Sequence, residues 1–303
     1  MHACLLKVRT PENLPGIISD RCRMSAPASH SVVCNFIFLT VMASVARYMI
    51  RAAVLFLTAA FVSSVFPVSA AAAVRNYRLK VVREYPHDTG SYTQGLFIHD
   101  GQMYESTGQY GLSTFRKVDI SSGEPLRRLD FSRKYFVEGS AVLGDDLYIL
   151  TWTNRVAFIY DINTLEYKAT KSYPRQGWGL TTDGSQLIAS DGSAALYFMT
   201  PQLQVTRTLT VRLSGRPVRS LNELEYIGGK IWANVYTSDL ILIINPDTGN
   251  VEGTVDCTGL LPDSLRTPST DVLNGIASDP STGKIYLTGK NWPRLYEVVL
   301  EEK

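Results

Sequence analysis

Five short stretches place very different side chains in one repeated position. They are YTQGLF (92–97), FVEGSA (136–141), QGWGLT (176–181), SLNELE (220–225) and VLNGIA (272–277). The occupants of the repeated slot are Gln94, Glu138, Trp178, Asn222 and Asn274. Fourteen positions further on in four stretches, and 16 in the fifth, stand Gly108, Trp152, Gly192, Tyr236 and Lys290. Brought together, these residues supply one carboxylate, one amine, three amides and an aromatic wall of Trp152, Trp178 and Tyr236. A carboxylate beside aromatic faces suits an organic cation or an α-amino group.

Each residue taken singly also has a plain reading. Glu138 alone reads as a turn or ion-pair residue, Lys290 as a surface charge, and each tryptophan as packing. The functional reading rises because the residues fill equivalent slots. Trp232 and Trp292 fall outside the pattern and read as packing. Glu223 and Glu225 alternate with Leu224, which points them between sheets or to solvent. Glu105 and Asp191 lie close to the second ring and are weaker candidates.

Other chemistries lack their residues. The histidines are His2, His30, His87 and His99, with no HxH or HExxH spacing, which argues against a histidine-based zinc site. No GxSxG, GxGxxG or P-loop is present. GQYGLS (108–113) is a turn with two glycines and not a phosphate cradle.

The elements that must carry the slots follow from the same register. Each stretch runs into a turn: HDGQ, GDD, TDGS, IGGK or DPSTGK. Asp-Gly and Gly-Gly supply the positive φ that tight hairpins need. Second strands follow (MYESTG, LYILTW, LIASDG, IWANVY, IYLTGK), then third strands such as NRVAFIYDI and DLILIINP. The longer DPSTGK turn absorbs the two extra residues of the fifth repeat. Repeats of four short strands predict an all-β fold, a five-bladed β-propeller. The fifth repeat lacks a fourth strand, and YRLKVVREY (77–85) is expected to supply it and close the ring. First strands would line the channel, so both sets of slots would meet at one mouth. Five copies make a scaffold, and the variation makes a pocket.

The chain has 303 residues, with 45% hydrophobic and 19% charged, ordinary values for a globular protein. Residues 1–70 hold six Lys/Arg and two Asp/Glu, which leaves 24 basic and 26 acidic residues for 71–303. That near-neutral body does not predict nucleic-acid binding. Arg47 and Arg51, then an apolar run from Ala52 to Phe66, then small residues, have the layout of a secretory signal over 42–73, with cleavage after Ala70 or within the alanines. The run is short for a membrane-spanning helix. Residues 1–41 precede Met42, a second good start, and read as an over-extended gene start or a disordered leader. The expected domain is 74–303, exported to a periplasm or secreted, and free of the membrane after cleavage. Cys4, Cys22 and Cys34 lie upstream of the cleavage point, so Cys257 stands alone in the mature chain and the fold must rest on its core.

YTQGL, YESTGQYG, EG, GWGLTTDG, LIASDGS, LNELEY, ANVY, VLNGIA and TGKNWP together resemble the glutaminyl-peptide cyclotransferases of the plant and bacterial type, over nearly all of 77–300. The resemblance implies a five-bladed propeller that converts an N-terminal glutamine into pyroglutamate and releases ammonia. It implies no catalytic metal or redox cofactor, although a structural ion in the channel would be compatible. By motif, Glu138 corresponds to the catalytic glutamate, and Gln94, Trp152, Trp178, Asn222 and Lys290 to further site residues. Tyr236 departs from the tryptophan of many members, keeping an aromatic face and adding a hydroxyl. The catalytic set is then Glu138, Lys290 and Asn222. Gln94, Trp152, Trp178, Tyr236 and Asn274 would bind the substrate, the N-terminus of a peptide or protein, and the enzyme would act as a monomer. Two rivals stand beside this reading. A calcium-dependent lactonase-like propeller would use Glu138, Asn222 and Asn274 as oxygen ligands. A non-catalytic propeller would bind peptide N-termini without turnover.

Overall fold

Strands in this chain begin and end where turn residues interrupt apolar runs. The computed structural model describes residues 73–303, together with 44 and 47–49. The leader expected over 1–41, the cleavage point at Ala70, nearly all of the signal segment and Cys4, Cys22 and Cys34 lie outside the described residues. Residues 71–303 cluster as one unit. Among the described residues no helix is long and apolar enough to cross a membrane.

The first strand, β1 (Arg75–Pro86), stands apart from the four-stranded blocks that follow it in sequence. The first block is β2 (Thr93–His99), β3 (Gln102–Thr107), β4 (Thr114–Val118) and β5 (Pro125–Asp130). The second is β6 (Val137–Leu143), β7 (Asp146–Thr151), β8 (Val156–Asp161) and β9 (Tyr167–Ser172). The third is β10 (Leu180–Thr182), β11 (Leu187–Ser190), β12 (Ala195–Met199) and β13 (Val205–Thr210), followed by the two-residue pair β14 (Arg212–Leu213) and β15 (Arg216–Pro217). The fourth is β16 (Leu221–Ile227), β17 (Lys230–Val235), β18 (Leu240–Ile244) and β19 (Val251–Asp256). The last three strands are β20 (Leu273–Asp279), β21 (Lys284–Gly289) and β22 (Arg294–Glu302).

β1 completes the last block. It runs antiparallel to β22, with Leu79 opposite Leu300 and Tyr85 opposite Leu295. It also runs parallel to β19, with Tyr77 opposite Val255, a pairing the repeat pattern gave no sign of. The fourth and fifth blocks therefore form one continuous sheet.

Burial falls off from first strand to fourth within a block. The first five residues of β2, β6, β16 and β20 are all buried, whereas β5 and β9 are mostly exposed. First strands contact one another in closed order, β2 to β6 to β10 to β16 to β20 and back to β2. The apolar core is correspondingly split into five clusters, each between neighbouring blocks. Phe115 packs with Ile149 and Phe158, Leu150 with Leu187, Phe198 with Leu242, Ile241 with Leu287, and Leu96 with Tyr286 and Leu295. Burying each such side chain contributes roughly 1.5–3 kcal/mol. Trp232 and Trp292 are buried in the cluster between the fourth and fifth blocks, and Cys257 is buried beside them.

Glu223 and Glu225 do not point to solvent. Both are buried, and each reaches from β16 to the backbone of another first strand. Glu223 accepts N–H bonds from Leu96 (3.3 Å) and Ile276 (2.9 Å). Glu225 accepts from Ser278 N–H (2.9 Å) and Thr181 Oγ1 (3.4 Å). With no cation as partner among the described residues, burial raises Glu225 to about 8 and Glu223 well above the usual carboxylate range.

Candidate active site

An irregularity in each hairpin places the repeated slot. The β2/β3 ladder shifts between Thr93 and Gly95, leaving out Gln94. Equivalent shifts fall between Val137 and Ser140, Leu221 and Leu224, and Leu273 and Ile276, and so bracket Glu138, Asn222 and Asn274. Such bulges re-aim a side chain out of the regular alternation. In the third block the strand starts only at Leu180, past Trp178.

The second ring is fixed to the first by main-chain bonds of one pattern. The N–H groups of Gly108, Trp152, Tyr236 and Lys290 donate to the carbonyls of Tyr92, Phe136, Ser220 and Val272, each two residues before a slot, at 2.8–3.0 Å. Directly after the second ring, Gln109 (φ 90°), Thr237 (φ 66°) and Asn291 (φ 58°) adopt left-handed conformations. Neighbouring blocks are then clasped together. Ser106 Oγ donates to the Glu138 carbonyl and Ser190 Oγ to the Asn222 carbonyl, both at 2.7 Å.

The result is a cavity of about 210 Å³ lined by Tyr92, Gln94, Phe136, Glu138, Trp152, Trp178, Asn222, Tyr236 and Lys290. Seven of these nine were singled out from sequence. Asn274 was too, but it does not line the cavity. It is buried behind the wall, donating through Nδ2 to the Thr93 carbonyl (2.9 Å) and to Gln94 Oε1 (3.4 Å). Its Nδ2 is thereby committed to Thr93 and Gln94, whereas its Oδ1 is buried with no hydrogen-bond partner among the described residues.

The model matched by this chain is that of the family described as glutamine cyclotransferase, over residues 53–300. The chain belongs to the glutamine cyclotransferase family. It is 43% identical over 233 residues to a glutaminyl-peptide cyclotransferase of Arabidopsis thaliana, covering 74% of this chain and 72% of that one. Among solved structures it is similar to the glutaminyl cyclase of Myxococcus xanthus, with a TM-score of 0.72 and 37% identity, over 76% of this chain and all of that one.

Electrostatics divide the site of this family member into two poles. Glu138 is buried and no protein donor reaches its carboxyl group among the described residues. Burial pushes its pKa well above the ordinary value, and Lys290 only partly offsets this. Burial likewise lowers Lys290, against the pull of Glu138 and Asp271. Lys290 makes no ion pair within 4.0 Å among the described residues. Its Nζ stands over the rings of Tyr92 (4.7 Å) and Tyr236 (5.0 Å), where the π-faces take the place of a counter-ion. The aromatic wall is built of edge-on contacts: Trp178 with Tyr236, Phe136 with Trp152, and Tyr92 with Phe136.

Sequence reasoning missed Tyr92 and Phe136, each two residues before a slot. It also missed Asp271, which accepts the Tyr92 hydroxyl at 2.7 Å and ends the 257–271 loop. The signal was present, since the position two before the slot is as variable as the slot itself. Two glycines of the second ring are seats for rings and not vacant places. A Cβ on Gly108 would stand 2.3 Å from Phe136, and one on Gly192 would stand 2.6 Å from Trp178. Of the weaker candidates, Asp191 accepts from Tyr197 Oη (2.9 Å) outside the cavity lining, and Glu105 lies in a separate buried network.

Proposed function

We propose that this chain converts the N-terminal glutamine of peptides or proteins to pyroglutamate with release of ammonia, and that Glu138 is the general acid and base. The observation that carries this is a buried carboxyl group of raised pKa facing a lysine across an aromatic-walled cavity. An α-amine has an ordinary pKa of about 7.7–8.0, and a carboxylate near 4.3 is a poor acceptor for its proton. Raising Glu138 by burial narrows that gap and makes transfer in either direction inexpensive.

The steps balance around one proton carrier. Glu138 takes a proton from the substrate ammonium, and the freed amine attacks the γ-amide carbon. The new C–N bond leaves negative charge on the amide oxygen and positive charge on the nitrogen. Lys290 Nζ, with Asn222 or Gln94, stabilises the oxyanion. Glu138 hands its proton to the departing nitrogen and takes one from the ring nitrogen. The old C–N bond breaks, ammonia leaves and receives that last proton, and Glu138 is again a carboxylate. Because nucleophile and electrophile belong to one residue, the aromatic walls need only hold the side chain in an attack-ready fold.

Several finer readings belong to the same proposal. The five blocks, with their closed ring of first strands and five inter-block clusters, are the blades of a five-bladed propeller. The segment 42–73 is a signal removed near Ala70, supported by its charge and apolar layout, and the mature chain is exported and acts as a monomer. N-terminal sequencing of the secreted protein and its mass in solution check the last two.

The activity is tested by incubating the purified chain with a peptide beginning with glutamine and reading the mass, with an EDTA-treated parallel. Loss of one ammonia in both, and none with Glu138→Gln, is expected. An unchanged peptide with a folded parent chain sinks the cyclase reading, and turnover abolished by EDTA sinks its metal independence. Turnover retained by Glu138→Gln removes Glu138 from its role.

A further inference from the structure

The cavity draws on a third repeated position, two residues before the slot. Its occupants are Tyr92, Phe136, Gln176, Ser220 and Val272. Tyr92 and Phe136 line the cavity. Gln176 stands exposed at its edge, and its side chain does something neither aromatic can. Oε1 accepts one hydrogen bond from Trp152 Nε1 at 3.0 Å and a second from Trp178 Nε1 at 3.2 Å. An indole nitrogen only donates, so the atom between the two rings must be the amide oxygen and not the nitrogen.

The two rings arrive from different blocks. Trp152 follows β7 and Trp178 precedes β10. The main chain holds Gln176 between them, since Gly177 N–H donates to the carbonyls of Thr151 (3.1 Å) and Trp152 (3.3 Å), and Trp178 N–H to Ser190 (3.3 Å). Each indole is braced on one side only by packing, Trp152 against Phe136 and Trp178 against Tyr236 and Gly192. Gln176 supplies the other restraint to both at once.

We propose that Gln176 is a positioning residue whose carbonyl oxygen sets the spacing and tilt of the two indole walls, and so the fit of the slot that folds the substrate side chain. Its kinetic half rests on the cyclotransferase reading of the cavity. Its structural half concerns the free protein alone. Loosened walls would still admit a peptide but would hold fewer molecules in the attack-ready conformer, so the loss falls on kcat more than on KM.

The test uses the full chain labelled at the indole nitrogens, with the four tryptophan Nε1–H resonances assigned by single Trp→Phe changes. Gln176→Leu is expected to move the Trp152 and Trp178 signals and leave those of Trp232 and Trp292, which lie in the core, in place. Gln176→Glu keeps an oxygen acceptor and should return both signals toward the parent. With a glutamine-initiated peptide, Gln176→Leu should lower kcat roughly 3- to 10-fold, the scale of one net hydrogen bond, with a smaller change in KM. Unmoved Trp152 and Trp178 signals in the leucine variant overturn the clamp. Moved signals with unchanged kcat overturn its role in the reaction. A parent chain without turnover sinks the activity reading and the kinetic role with it, while the indole signals still report whether the clamp exists.

Discussion

Glu138 and Glu105 are both buried glutamates, 5% and 1% exposed, yet their pKa values are pushed in opposite directions. For each, burial is the largest influence and favours the neutral acid. Around Glu105 it is overcome. Arg116, His87 and Thr93 all donate to its carboxylate and hold it at about 2. Arg116 also donates to Asp88 (2.7 Å) and to Ser91. His87 donates through Nδ1 to the Trp292 carbonyl (2.7 Å) and through Nε2 to Glu105 (3.1 Å), so it must carry both protons. Around Glu138 the one compensating charge among the described residues is Lys290, beyond ion-pair distance. The lesson is that compensation, not depth, decides which way the pKa of a buried acid moves. The compensated one joins parts of the fold, and the one without a donor keeps the raised carboxyl that the proposed acid–base role requires.

Making both residues glutamine is the sharpest way to break the comparison. Glu138→Gln should lower turnover by roughly 10²–10⁴-fold, the range of a general acid–base group. It should not lower stability at neutral pH. A carboxyl raised in the fold contributes its stability below the unfolded pKa and loses it as pH rises through the folded value, so at pH 7 this glutamate opposes folding. Glu105→Gln should do the reverse, costing roughly 3–5 kcal/mol in urea unfolding by stranding Arg116.

Lys290→Met comes next, with a fall in kcat of about 10²–10³-fold if it stabilises the oxyanion. Its rate–pH profile is the more telling reading. With Glu138 raised and Lys290 lowered, both limbs of the parent profile lie inside those of ordinary side chains. Removing Lys290 takes away what holds Glu138 down, so the acid limb should move to higher pH. An acid limb that stays where it was would dissociate the two poles.

Gly192→Ala should act through a ring, displacing Trp178 at a left-handed position (φ 78°). A loss of about tenfold in kcat/KM with roughly 1–3 kcal/mol of stability is expected. His87→Asn has the smallest effect. The pKa of His87 is raised because Glu105 and the Trp292 carbonyl outweigh burial and the neighbouring Arg116. Its contribution is full below about 6.5 and fades as pH rises through the folded value, whereas that of Glu105 fades as pH falls toward 2. The variant should flatten the alkaline side of the stability–pH curve and, because His87 helps hold Glu105 down, move the acid-side fall to higher pH.

What could be read from sequence was whatever repeats. The distance from Gln94 to Gly108 recurs at Glu138, Trp178 and Asn222, and a recurring distance survives folding because each block uses it as one hairpin. What could not be read were the relations that differ between blocks. Asn274 occupies a legitimate slot, yet its side chain turns back onto Gln94. Glu223 and Glu225 alternate as strand residues should, and of the two places expected for them, between sheets or in solvent, it is not solvent that receives them but backbone N–H groups on other first strands. The pairing of β1 with β19 joins two blocks through a contact that no repeat encodes. Equivalent positions fix where a side chain begins, and its neighbours across the ring decide where it ends.

Because β1 runs antiparallel to β22, Tyr77 faces Glu302 while Pro86 faces Arg294, and residues 75 and 302 leave the sheet side by side. A load drawn across them would open that ladder one bond at a time, like a zip, and would not shear all its bonds together. The seam that β1 completes would yield in steps under such a load.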